Sequence, residues 1–238
     1  MDSESGEKRE REKDRRWSTK IETVTEHGNL WPLRNNCAYT LIMNSSLLKA
    51  QFKKVFQGMP SPVAIITTSV SSNAPISDYH GLTVSSMTSL SLNPDPLILF
   101  NVMVPSRSSE SLKAFDLFGV HLLKPSSYSI DLVRKFSQGH RSGGLITSPF
   151  DGLLKDYDFF HYDGLTKNGK LENAGGILPL LMHCDKILVC KKKNFFEVAD
   201  HEIWVGEVVD TIISKHGSKS DGNLLHFNSE FYRVGTKI

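Results

Sequence analysis

The most chemically loaded stretch of the chain is DYHGLTVSSMTSLSL, residues 78–92, where Thr83, Ser85, Ser86, Thr88, Ser89 and Ser91 all carry hydroxyls. Read as a strand, it points Thr83, Ser85, Ser89 and Ser91 to one face and Leu82, Val84, Leu90 and Leu92 to the other. Met87 interrupts the polar face, and Ser86 and Thr88 interrupt the apolar one. That mixture predicts a bulge or a turn near Ser86. Short hydroxyls donate and accept in a confined space. They suit a ligand with a polar edge, whether a ring or a phosphate. A polar strand on an open sheet face would carry the same residues.

Two further stretches hold candidate chemistry. In PSRSSES, residues 105–111, small hydroxyls precede a helix start. The free N–H groups and positive end of such a helix make an anion site, to which Arg107 adds charge. Plain N-capping by Ser108 or Ser109 is the competing reading. In ADHEIWVGEV, residues 199–208, His201 begins a strand beside Asp200, and Gly206 lies in mid-strand. A mid-strand glycine weakens the strand unless something approaches closely. Other signatures are missing: no G-x-G-x-x-G follows a strand, and there is no P-loop, H-E-x-x-H or G-x-S-x-G. HCDKILVC has neither C-x-x-C nor a close His pair, so Cys184 and Cys190 read as buried thiols and no metal is expected.

These residues need a scaffold. Ser45 or Ser46 caps a first helix at about 46–57, with Leu48, Phe52, Val55 and Phe56 on one face. VAIITT (63–68), PLILFNVMV (96–104), FGVHLL (118–123), KILVC (186–190), FFEVAD, EIWVGEVVDTII and a last HFNSEFYRVG read as strands, with KKKN as a basic turn. Short helices follow PSRS and PSSY, the latter stopping at Gly139. Residues 139–175 lose periodicity and read as a polar insertion running over the surface. Strands do not alternate with full crossover helices. The pattern therefore predicts a mainly β, antiparallel, Greek-key-like barrel with short flanking helices, not a doubly wound sheet.

The 238 residues are 39% hydrophobic and 23% charged with a formal net charge of +2, which suits one soluble domain and argues against a nucleic-acid partner. Acids and bases cancel in residues 1–16, so residues 1–44 read as a charged, disordered N-terminal extension ahead of a 45–238 domain. No apolar run is long enough for a membrane span and no secretory signal is visible. With its odd set of Cys37, Cys184 and Cys190, the chain reads as cytoplasmic. Residues 27–77 contain no acid, and a start at Met43 would give an acid-free leader, which keeps a mitochondrial address as the alternative.

Taken in order, FKKVFQGMPSPVAIITT, HGLTVSSMTSLSLNPDPLILF, PSRS, FGVHLL and DHEIWVGEV resemble the flavin reductase-like family of FMN-binding split-barrel proteins, which includes reductase components of two-component monooxygenases. The resemblance runs over residues 52–232. It implies a split β-barrel, a homodimer, and an NAD(P)H:flavin oxidoreductase that passes hydride from NADH or NADPH to the flavin N5. It implies FMN as cofactor, with FAD as the alternative, and a monooxygenase or other flavin-accepting partner. By position, Thr83, Val84, Ser85 and Ser86 would line the flavin, with Ser89 close by. Ser106 and Ser108 would meet its phosphate, Thr67 and Thr68 would flank the ring, and His201 would lie near the nicotinamide. Departures are Met87 where Phe is common, Asp95 within a Pro-Pro pair, His121 for Asn, and Ala199 for Gly. The last of these bears on the nicotinamide side and leaves a second reading, an FMN-binding carrier or assembly partner without turnover. An interaction module without cofactor, using residues 191–193 and the charged tail, is the third.

Overall fold

The computed structural model describes residues 45–138, 147–166, 169–170, 176–214 and 222–235. The charged 1–44 extension and residues 139–146, 167–168 and 171–175 of the expected insertion lie outside the described residues. Two compact units divide the chain, Met1–Phe52 and Lys53–Ile238. The first is described only over residues 45–52, in helix α1 (Ser45–Gln57). All else concerns the second.

Its strands and helices run β1 (Ser61–Pro62), β2 (Ala64–Thr68), β3 (Val70–Ser71), β4 (Gly81–Val84), β5 (Thr88–Ser91), β6 (Leu97–Met103), α2 (Arg107–Ala114), β7 (Leu117–Leu122) and α3 (Ser127–Ser137). They continue as β8 (Phe159–Tyr162), β9 (Leu165–Thr166), β10 (Gly169–Lys170), β11 (Gly176–Leu181), β12 (Lys186–Val198), β13 (His201–Ile213), β14 (Leu225–Phe227) and β15 (Glu230–Tyr232). The architecture is mainly β and antiparallel, as the sequence predicts. Its main sheet has seven strands in the order β4-β2-β7-β12-β13-β6-β5. The two edge strands, β4 and β5, are consecutive in the chain. One bent stretch thus serves both edges, and the barrel is split where it bends.

Strand β2 shows why this sheet sits in the middle of the protein. Its residues are buried throughout, Ile65 in one core cluster and Ala64 and Ile66 in another. That is the period of two expected of a strand covered on both faces. The first cluster takes in Leu132, Phe136 and Leu180; the second takes in Phe100, Phe118 and Trp204. Fully burying each such side chain contributes roughly 1.5–3 kcal/mol. Helix α3 is capped by Ser126, whose hydroxyl accepts the Ser129 N–H at 3.1 Å. It buries Leu132, Val133 and Phe136.

Strand β7 carries His121, which is fully buried. Its Nδ1 meets the Ile65 carbonyl at 3.0 Å, and its Nε2 accepts the Leu181 N–H at 2.9 Å. A neutral imidazole protonated on Nδ1 satisfies both. Burial pushes its pKa down to about 4, against a smaller opposing effect of the Ile65 carbonyl.

Four expectations need correction. KKKN is not a turn: Lys186–Val198 is one strand, paired with β13 throughout, with register shifts at Val189/Cys190 and Lys192/Asn194. HFNSEFYRVG is not one strand but the β14–β15 hairpin, turned by Asn228 and Ser229 at φ +49° and +66°. Leu90 and Leu92, expected on the apolar face of one strand, are 49% and 75% exposed: Leu90 lies on the edge strand β5 and Leu92 beyond its end. Within the expected surface insertion, Phe150 and Phe159 are core residues that meet edge to face at 5.3 Å. Isolated aromatics among polar residues carry no periodicity to reveal this. No helix among the described residues is long and apolar enough to cross a membrane.

Candidate functional site

Strand β4 leaves its ladder with β2 at the pair Val84–Ala64, and β5 joins β6 at Thr88–Leu99. Residues 85–87 belong to neither ladder. The Asn101 N–H of β6, facing this break, is satisfied by a side chain instead of a strand: it donates to Ser86 Oγ at 2.9 Å. The change of partner opens a cleft of about 730 Å³. Residues 81–86 form one wall. Residues 101–103 of β6 and His201 form a second, residues 105–108 a third, and residues 136–138 at the end of α3 a fourth.

Short hydroxyls tie these walls together. Thr83 Oγ1 donates to the Val133 carbonyl at 2.8 Å and joins β4 to α3. Ser108 Oγ donates to the Gly81 carbonyl at 3.2 Å and joins α2 to β4. Ser106 is the N-cap of α2, accepting the Ser109 N–H at 3.4 Å. Beyond that cap, the Arg107 and Ser108 N–H groups have no acceptor within the helix. They and the exposed Arg107 side chain give this wall positive potential. His201 Nδ1 sits 2.8 Å from Asp200 Oδ1, which leaves Nε2 as the ring's other polar atom. Asp200 follows Ala199, a non-glycine residue at φ +54°.

Of the residues expected at a site, Thr83, Val84, Ser85, Ser86, Ser106, Ser108 and His201 all border this cleft. Val84 does so with its side chain packed into the second core cluster. Thr67, Thr68 and Ser89 do not border it. Both threonines are fully buried in β2; Thr68 Oγ1 donates to the His80 carbonyl at 3.3 Å, and Thr67 Oγ1 has no hydrogen-bond partner. Ser89 is exposed on β5. Met87 packs against the second core cluster, which explains an apolar residue within the hydroxyl run. At Gly206 the close approach comes from Phe118, whose Cζ would overlap an added Cβ. That glycine serves packing rather than the cleft.

Sequence reading missed Asn101, Met103, Phe136, Ser137 and Gln138. The Asn101 and Met103 positions follow from alternation along β6 once His201 is paired with Met103, but that register is a long-range fact. The end of α3 is brought here by tertiary packing alone.

The cleft is therefore lined by the short hydroxyls of residues 83–86, the first turn of α2 and the His201 imidazole. Residues 56–235 match the family model for the flavin reductase like domain. A curated NADH-dependent FAD reductase of Streptomyces globisporus is 28% identical over 161 residues, 68% of this chain and 74% of that protein. A solved NADH:FAD oxidoreductase from the same organism superimposes with a TM-score of 0.59 at 22% identity, covering 84% of this chain and 100% of that one. The styrene monooxygenase flavin reductase of Pseudomonas putida does so at 0.56 and 20%, covering 79% and 99%.

Proposed function

The chain belongs to the flavin reductase-like family, and from that membership and the cleft we propose that it is an NAD(P)H-dependent flavin reductase. The observation that carries the reading is the meeting of the hydroxyl wall, the α2 N-terminus and His201 around one slot. The donor set fits a flavin: residues 83–86 would take the flat ring, and Ser106, Arg107 and Ser108 would hold a phosphate. FMN is the cofactor assigned here, with FAD as the alternative; the S. globisporus relatives are named for FAD. A bound flavin supplies the redox chemistry, accepting a hydride at N5 from the reduced nicotinamide.

The chain's own residues bind and orient. Ser85 and the backbone of 84–86 supply donors where the reduced ring gains negative charge. His201, fixed by Asp200, orients the nicotinamide and keeps water from the ring; no proton transfer is asked of it. Small residues along 83–86 leave the two rings room to stack at reacting distance. Thr67, Thr68 and Ser89 lie away from this cleft.

The reading includes a homodimer and a flavin-accepting partner such as a monooxygenase. Val198, His201 and Met103 lie abreast on β12, β13 and β6. Phe196 extends that face, and Met103, Phe196 and Val198 are 65%, 52% and 51% exposed. A second copy would cover this apolar face beside His201, and a monomeric mass in solution would count against it. The activity test is absorbance at 340 nm with purified protein, FMN and NADH. The reading expects protein-dependent loss; no loss above background with NADH or NADPH would overturn it.

A further inference from the structure

His201 and Glu202 are neighbours in β13 and so point to opposite faces. His201 borders the cleft, whereas Glu202 is 1% exposed. The buried carboxylate is fully occupied. Ser109 Oγ donates to Oε2 at 2.5 Å, Trp204 Nε1 donates to Oε2 at 2.9 Å, and Lys113 Nζ lies 2.5 Å from Oε1. Burial acts to raise its pKa, but the bonds from Lys113, Ser109 and Trp204 outweigh it and hold the carboxyl below its usual range. Phe195 stacks on Trp204 at 4.8 Å, and Lys113 Nζ stands 5.0 Å from the Phe195 ring centre, which closes the network.

Ser109 and Lys113 are one turn apart on the same face of α2. The residues just before Ser109 are Ser106, Arg107 and Ser108, the anion wall of the cleft. Glu202 therefore joins that wall to the strand that carries His201. Cohesion alone does not call for such a pair. Leu112 already packs α2 into the core, and a buried ion pair is seldom more stabilising than apolar residues of similar size. What a multiply bonded carboxylate adds is a fixed place for the helix on the strand.

We infer that Glu202 is a positioning residue: through Ser109 and Lys113 it sets the first turn of α2 where it receives a phosphate in the cleft that His201 also borders. This rests on the flavin reductase reading, in which that phosphate belongs to the flavin. Glu202 touches no ligand and acts only through α2.

The test compares FMN with riboflavin, which shares the ring and lacks the phosphate. Glu202→Gln, Lys113→Met and Lys113→Arg are made in the full chain. Affinities are read from quenching of flavin fluorescence, well below each variant's melting temperature. Glu202→Gln and Lys113→Met are expected to weaken FMN about tenfold and riboflavin less than about twofold, with Lys113→Arg close to wild type. Equal loss for both flavins, or no loss for either, would overturn the inference and leave the reading intact. Lys113 is a partly exposed side chain, so Lys113→Met decides the matter if Glu202→Gln does not fold. A wild-type protein that quenches neither flavin overturns the reading and the inference with it.

Discussion

Acidification should cost this protein stability through His121. The folded pKa is about 4, against 6.5 for the free side chain, because the ring is fully buried. Between those values the unfolded chain binds a proton that the folded one refuses, so stability falls as pH falls. The His121 contribution is fully present above about pH 6.5, declines through the window from about 6.5 to 4, and levels off below it. At about 1.4 kcal/mol per pH unit, the loss is on the order of 3 kcal/mol. His121→Asn keeps an amide donor near the Nδ1 position for the Ile65 carbonyl and does not titrate; the lost acceptor for the Leu181 N–H lowers stability at every pH and leaves the slope untouched. Urea unfolding of both proteins at steps between pH 7 and pH 4 measures the difference; carboxylates titrating in the same range cancel in the comparison. Wild type should lose about 3 kcal/mol more than the variant over that range. Parallel profiles would mean that the neutral ring is not what acid attacks.

Two substitutions separate packing from site chemistry. Ala199→Gly relieves a left-handed alanine at φ +54°, a strain of roughly 1–2 kcal/mol, against about 0.5–1 kcal/mol of added unfolded-state freedom. Its melting temperature should rise by about 1–4 °C in a calorimetric scan. Gly206→Ala drives a methyl into the Phe118 ring and should destabilise by about 1–3 kcal/mol in urea. The FMN affinity of the folded Gly206→Ala protein should match wild type, and a lost affinity would put a ligand, not Phe118, at that glycine.

Local rules carried much of this fold into view. Ile65 and Ile66 in VAIITT, the Ser-rich helix starts at Ser106 and Ser126, and the broken alternation around Ser86 are all short-range features, and each marks an element or a bend. Residues 83–86 were therefore readable as a wall; what that wall faces was not. The partners at Asn101, Met103 and the end of α3 arrive through strand register and helix packing, which no window of sequence contains. Thr67 and Thr68 illustrate the converse. Their hydroxyls look like site chemistry, yet β2 is covered on both faces, so they are enclosed in the core. Glu202 was equally hidden: beside a histidine it reads as one more surface acid, and only its burial against Ser109, Lys113 and Trp204 gives it a role.

In the proposed reductase, flavin binds at the split at residues 85–87, and Ser85 gives the most direct access to it. Ser85 is exposed and borders the cleft. Ser85→Leu puts a bulky chain where the ring should lie and disturbs no core residue, so stability should stay within about 0.5 kcal/mol of wild type. A titration of FMN fluorescence against both proteins is the measurement. A flavin seated at the split requires at least about a tenfold loss of affinity with an unchanged melting temperature; a Ser85→Leu protein that binds FMN as tightly as wild type would place the flavin elsewhere.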